Sequence, residues 1–329
     1  MRILLTNDDG IRAPGIIALH DALAAADPAG PLGAPGGRMG APGGARAGGA
    51  SDRSSGPGGV HDARRVEVMT VAPATVQSAT SHGVTFHEPL MVRPQRVTPR
   101  LTGLAVDGRP ADCVKLAVSQ LWPERFGPGS RPDLVVSGMN MGANCGINVI
   151  YSGTVGAAIE AAFLGVPSIA VSLHLGPGRA MYDVAARWAR EVIERVVASG
   201  VLEAHACINI NIPRVEEPAE GGGARGAAQP VPDRREAADP RPDLVASMAC
   251  PPVVVCAMNT HGLVDQYERR MSPGGEVYYW ASGHGLDFHA TDPDTDVDAL
   301  VARGCVTVTP LRYDLTDRAT LERLRGAMG

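Results

Sequence analysis

Three stretches of this chain carry residue types that can do chemistry. The first is Asn7-Asp8-Asp9-Gly10, which follows a short apolar run at the start of the chain. Two adjacent carboxylates repel each other when both are ionised, and a divalent cation is the simplest partner that favours both ionised forms. The same pair also suits an Asx turn or a helix cap at a strand end, and spacing alone does not decide. The second stretch, APATVQSATSHG, has hydroxyls at Thr75, Ser78, Thr80 and Ser81 and an imidazole at His82. A hydroxyl here can ligate a metal or donate to a phosphate, or the segment is only a polar loop. His82 reads equally as a substrate contact and as a structural hydrogen bond. The third stretch is SGMNMGANCGINVIYSGTVGAAIEAA, beginning at Ser137. Gly138, Gly142 and Gly146 let the backbone approach a ligand closely, while Asn140 and Asn144 offer neutral oxygens and amide donors. Ser152-Gly153-Thr154 then opens a helix, where free N–H groups and the positive dipole end suit an anion such as phosphate. An N-cap role explains Ser152 equally well. Neither a Gly-Lys-Ser/Thr phosphate loop nor a GxGxxG turn is present in this stretch.

These stretches must be positioned by something, and apolar periodicity supplies it. Short runs rich in Val and Ile predict strands at Arg2–Thr6, Val66–Val71, Leu134–Ser137, Ser168–Ser172 and Cys207–Asn211. Helical spacing falls between them at Pro14–Ala26, Ala111–Leu121, Thr154–Leu164 and Tyr182–Ala198. Strands alternating with helices imply an α/β fold with a mostly parallel sheet covered on both faces. Ligands of such sheets collect at the carboxyl ends of the strands, where all three stretches fall. The last third differs: Val253–Met258 and Glu276–Trp280 read as strands flanking a turn at Ser272–Gly275. Val306–Pro310 is a further strand before a closing polar helix. A long C-terminal hairpin is an expected oligomerisation element, because exposed strand edges tend to be paired.

Composition narrows the classes. The chain has 329 residues with 40 Gly and 27 Pro, yet no collagen-like period, so the excess is local. Residues 28–59 hold 12 Gly and 5 Pro with a single Leu and no aromatic. A second such segment runs over 214–243. Both read as solvated insertions that cannot offset the entropy of ordering. The expected organisation is thus a core over 1–213 with an insertion at about 28–62, a flexible insertion at 214–243, and a hairpin, strand and helix over 244–329 packed on the core. A net charge of −5 and an aromatic content of 4% argue against a nucleic-acid duplex as partner. Six cysteines without a CxxC pair read as reduced thiols. No apolar run is long enough to span a bilayer. The expected setting is the cytoplasm, with no membrane partner.

MRILLTNDDGIRAPGI, VAPATVQSATSHGVT, GRPADCVKLAV, the block from Pro132 to Leu173 and TDVDALVARGCVTVTPL resemble, in order, the motifs of the SurE family of metal-dependent 5'/3'-nucleotidases. The resemblance covers nearly the whole chain outside the two insertions. It implies a Rossmann-like α/β fold with an exchanged C-terminal hairpin, a homodimer or homotetramer, and hydrolysis of nucleoside monophosphates. It also implies one divalent metal ion per subunit, Mg²⁺ or Mn²⁺, held by Asp8, Asp9, Ser78 and Asn140. Asp8 and Asp9 are the catalytic pair, and phosphate contacts fall to Asn144, Ser152, Gly153 and Thr154. The chain departs from the family at APATVQSAT, where members commonly read APDRxRSG. The missing acidic and basic residues bear on substrate preference and turnover more than on metal binding.

An all-oxygen donor set suits Mg²⁺, Mn²⁺ or Ca²⁺ over zinc. A catalytically weak, metal- and nucleotide-binding regulator of the same fold is the alternative, motivated by the altered loop. An aspartyl-phosphate phosphatase needs a DxD-type arrangement, whereas here the carboxylates are adjacent. Asp292, Asp294, Asp296 and Asp298 resemble the start of a calcium loop, but Val297 stands where that loop requires Gly, so they read as solvated carboxylates.

Overall fold

The structure is a computed structural model that describes residues 1–27, 30–33, 66–217, 248–264, 266–282 and 286–329. The strands are β1 (Arg2–Thr6), β2 (Glu67–Pro73), β3 (Val92–Arg96), β4 (Thr102–Val106), β5 (Leu134–Met141), β6 (Ser168–Leu173), β7 (Cys207–Ile212), β8 (Val253–Val255), β9 (Tyr267–Met271), β10 (Val277–Ala281) and β11 (Val306–Leu311). The helices are α1 (Pro14–Ala24), α2 (Pro110–Leu116), α3 (Trp122–Phe126), α4 (Gly153–Phe163), α5 (Tyr182–Ala198) and α6 (Arg318–Met328). A π-helical turn, Ala117–Leu121, joins α2 to α3.

Nine strands form one sheet in the order β3-β4-β2-β1-β5-β6-β7-β11-β8. The run from β4 to β7 is parallel, and β3 and β11 pair antiparallel to β4 and β7. Period-two alternation explains why the central strands read as continuous apolar runs. Ile3 and Leu5 of β1 pack with α1 and α5 on one face, while Leu4 packs with α2, α4 and Trp122 on the other. Both faces of the central sheet are therefore covered, as the alternating pattern predicts.

One expectation needs correction, and two further features lie beyond what the sequence pattern shows. The hairpin is β9 with β10, closed at Ser272–Gly275, whereas Val253–Val255 pairs parallel with β11 at the edge of the main sheet. The last third thus completes the core sheet rather than only extending from it. β3 and β4 escape the sequence reading because VRPQR is a half-exposed edge strand with two arginines and a proline, lacking the apolar run of a central strand. Finally, the margins of both insertions are anchored: Leu32 is fully buried in the core, and Val215 is buried with its carbonyl accepting from Met181 N–H at 2.9 Å. The remainder of each insertion lies outside the described residues.

Candidate active site

The three stretches meet at the carboxyl edge of the sheet. β1 ends at Thr6, and Gly10 turns the chain with a φ of +91°, a region that favours glycine. The loop after β2 crosses this turn: Gln77 N–H donates to the Asp8 carbonyl at 2.7 Å, and Ile11 N–H donates to the Pro73 carbonyl at 2.9 Å. The loop after β5 closes the other side and leads into α4.

Asp8 and Asp9 are 4% and 8% exposed. Asp8 Oδ1 accepts from Thr154 Oγ1 at 2.5 Å and Oδ2 from Thr154 N–H at 3.1 Å. Asp9 Oδ2 accepts from Met141 N–H at 2.8 Å. Burial pushes the Asp8 carboxyl above its ordinary range, against the pull of the Thr154 and Gly153 donors. Asp9 is pushed up to about 6, first by burial and then by the neighbouring Asp8 charge, against the Met141 N–H. Among the described residues no Lys, Arg or His pairs with either carboxylate, so two adjacent buried acids share no cationic partner. That is the environment a divalent cation relieves.

The neutral donors fit the same cation. Asn140 directs its Nδ2 to the Gly142 carbonyl at 2.7 Å, which turns Oδ1 toward Thr154 Oγ1, 3.5 Å away on the Asp8 side. Ser78 is exposed, between Gln77, tied to Asp8, and Ala79. Its loop lies at the site, and its hydroxyl makes no hydrogen bond to a described residue. Among the described residues no three His, Cys, Asp or Glu side chains cluster as a metal site. A cation here would rest on two carboxylates completed by neutral oxygens, a hard donor set.

At the start of α4 several donors are engaged within the chain. Ser152 Oγ accepts from Val155 N–H at 3.1 Å, and the Ser152 carbonyl accepts from Gly156 N–H at 2.9 Å. Thr154 gives both its N–H and its hydroxyl to Asp8. The anion at this helix terminus is the chain's own carboxylate. Gly153 makes this approach possible, since a Cβ there would stand 2.9 Å from Asp8 Cβ and 3.0 Å from Asp8 Oδ2.

Asn144 is also more committed than a phosphate contact requires. Its N–H donates to Asn211 Oδ1 and its Nδ2 to Ser172 Oγ, both at 2.8 Å. Its carbonyl accepts from Asn209 Nδ2 at 2.7 Å and Asn211 Nδ2 at 3.0 Å. Asn144 therefore fastens the loop to β6 and β7.

Sequence reasoning missed two carboxylates. Asp296, read as solvated, is fully buried: Oδ2 accepts from Gly146 N–H at 2.8 Å, and Oδ1 accepts from Asn259 N–H at 2.8 Å and Val297 N–H at 2.9 Å. Glu160, 3% exposed on α4, accepts from His82 Nε2 at 2.7 Å and Lys115 Nζ at 3.1 Å. An acidic residue inside an otherwise apolar helix was the available signal for Glu160. Of the late histidines, His261 Nε2 pairs with Asp292 Oδ1 at 3.0 Å, and His284 lies outside the described residues.

Comparison with known proteins agrees with this architecture. The family model described as Survival protein SurE matches residues 59–228. A protein named 5'-nucleotidase SurE from Syntrophobacter fumaroxidans is 36% identical over 98% of each chain, and one of the same name from Rhodopirellula baltica is 35% identical over 99% of this chain and 98% of its own. These matches extend over nearly the whole chain, beyond the residues of the family-model match. The crystal structure of the SurE protein from Aquifex aeolicus superposes with a TM-score of 0.66 at 26% identity, covering all of both chains. By sequence over its full length and by fold, the chain belongs to the SurE family.

Proposed function

We propose that this protein is a divalent-metal-dependent phosphomonoesterase that hydrolyses nucleoside 5'- and 3'-monophosphates to nucleoside and phosphate. The observation that carries the reading is the pair of adjacent buried carboxylates, Asp8 and Asp9, without a cationic partner among the described residues, at the sheet edge where α/β ligands bind. The relatives' name, 5'-nucleotidase, supplies the substrate class and does not favour a silent regulator.

In this reading one Mg²⁺ or Mn²⁺ per chain is held by Asp8, Asp9, Asn140 Oδ1 and Ser78 Oγ. When bound, such an ion would polarise a phosphoryl oxygen and make a water at the site more acidic. The chain's own residues do the rest. Thr154 fixes Asp8 with two donors, so Asp8 is the orienting carboxylate. Asp9 has a single donor, the Met141 N–H, and is the carboxylate freer to take up a proton. Thr154 holds Asp8 in place and Gly153 leaves room for it, Ser152 caps α4, and phosphate contacts are assigned to this helix start, Ser152, Gly153 and Thr154, and to Asn144. The exposed Tyr267, Tyr279 and Trp280 of the β9–β10 hairpin, each above 60% exposed in the single chain, support assembly into a homodimer or homotetramer. No helix among the described residues is long and apolar enough to cross a membrane, and cytoplasmic action is part of the same proposal.

Gly153→Ala forces a Cβ onto Asp8 and is expected to lower kcat/KM for AMP by about 10²-fold, since a misplacement of roughly 1 Å costs that much. Wild-type steady-state rates in this variant contradict the placement of Asp8. The function itself is tested by phosphate release from 5'-AMP, 3'-AMP and p-nitrophenyl phosphate with Mn²⁺ or Mg²⁺. Release from at least one nucleotide is expected, and silence with every metal and substrate overturns the reading.

A further inference from the structure

We propose that Glu160, buried on α4 and clasped by His82 and Lys115, is a positioning residue that holds the Ser78 loop against the two carboxylates and thereby sets metal affinity. This inference rests on the metal-site reading above. A carboxylate buried to 3% exposure is costly unless it is paired. Its two partners come from different elements: His82 from the loop after β2 at 2.7 Å, and Lys115 from α2 at 3.1 Å. Burial pushes the Glu160 carboxyl up, and these two donors with their charges outweigh it, so the group lies below its ordinary range and stays ionised.

Glu160 belongs to the helix whose first turn holds Asp8. α4 therefore carries Thr154, which fixes one proposed metal ligand, and Glu160, which fixes the loop bearing another. The loop lies directly on the helix backbone, because a Cβ at Gly156 would stand 2.8 Å from the Ser81 carbonyl oxygen and 3.1 Å from His82 Cα. It is also a strained segment: Ala79 and Ser81 adopt φ values of +56° and +54°, which non-glycine residues hold only when their surroundings over-determine them. Its other anchors are neutral, Gln77 N–H on the Asp8 carbonyl and Ser81 on the carbonyls of Ile150 and Tyr151. His82 on Glu160 is its one ion-pairing anchor among the described residues. Ser78 lies between the Gln77 anchor and the Ser81–His82 anchors. Loss of the His82 contact leaves that side of Ser78 held only by the neutral Ser81 hydrogen bonds.

The test measures Mn²⁺ binding to the metal-stripped full chain by calorimetry, with kcat for AMP at saturating Mn²⁺ and melting temperature in EDTA. His82→Ala removes the loop's anchor while leaving Glu160 with Lys115, and His82 is 38% exposed at its side chain, so the fold is retained. Outer partners of metal ligands are worth about 10–100-fold in affinity. His82→Ala is therefore expected to raise the Mn²⁺ Kd by that factor and to leave kcat at saturation within about threefold. His82→Gln, whose amide can still donate to Glu160, is expected to recover most of the loss, and Glu160→Gln to fall between the two. Wild-type Mn²⁺ affinity in His82→Ala overturns the inference. So does a loss of kcat without a change in affinity, which would make His82 a substrate contact. A wild-type chain that binds no Mn²⁺ overturns this inference together with the reading beneath it, whereas the first two outcomes leave that reading standing.

Discussion

Asp9→Asn reduces phosphate release from AMP by about 10³-fold or more, while making the metal-free protein more stable at neutral pH. Both effects have one origin. The Asp9 carboxylate is 8% exposed, beside Asp8, with one N–H donor and no cation. Its folded pKa of about 6 lies above the ordinary 3.8. A carboxyl raised in the folded state contributes stability at low pH, and loses it as pH rises through the folded value. In EDTA the wild type is therefore expected to lose about 2 kcal/mol between pH 4 and pH 7 from this group alone. An asparagine has no charge to bury and escapes that loss. In the proposed reading a cation held by the ionised pair would supply several kcal/mol of transition-state charge stabilisation, which the substitution would forfeit. Thermal melts in EDTA at pH 5 and pH 8, with steady-state phosphate release, check both halves. Retained activity, or a variant less stable than wild type at pH 8 in EDTA, contradicts the account.

Asp296→Ala is the substitution outside the metal site with the largest expected effect. Its two oxygens accept three backbone N–H groups, from Gly146 in the loop after β5, Asn259 after β8, and Val297. Each orphaned buried donor costs about 1–3 kcal/mol, so with three donors a loss of at least about 3 kcal/mol is expected. The harm extends to the site, because Gly146 lies between Asn140 and Ser152, and its φ of +58° and its contact with Phe288 admit no side chain. Released from Asp296, this loop no longer presents Asn140 and α4 in one geometry, and KM for AMP is expected to rise before kcat falls. Asp296→Asn keeps an acceptor and should cost less in a urea melt. Equal stability of Asp296→Ala and wild type contradicts this role.

Much of the site is legible because its residues sit at strand ends that apolar runs reveal. Ile3, Leu4 and Leu5 declare β1, and Asp8 and Asp9 follow at its carboxyl edge. Asn140 likewise ends the run of β5. What the sequence hides is which partner satisfies each group. The anion seated at the start of α4 is Asp8, 146 residues away in the chain, and no local pattern separates that from a seat for phosphate. Asp296 sits in a run of alternating acids identical in type to exposed neighbours, and only the docking of residues 257–259 buries it. His82 was readable as a residue of interest, but its role depends on Glu160 and Lys115, which are distant from it in sequence and lie on two different helices. The edge strand β3 stayed hidden because exposure removes the apolar signal that marks β1, β5 and β6, whereas β4, interior between β3 and β2, is the short run TGLAV without the Val and Ile density of those strands.

The most direct measurement titrates Mn²⁺ into EDTA-stripped wild-type protein and follows metal binding and phosphate release from AMP on the same samples. Activity is expected to rise in step with occupancy of one site per chain, and both signals to vanish in the Asp8→Ala, Asp9→Ala double variant. Full phosphate release from the stripped protein, or from the double variant, would contradict the assignment of this carboxylate pair as the metal-dependent catalytic centre.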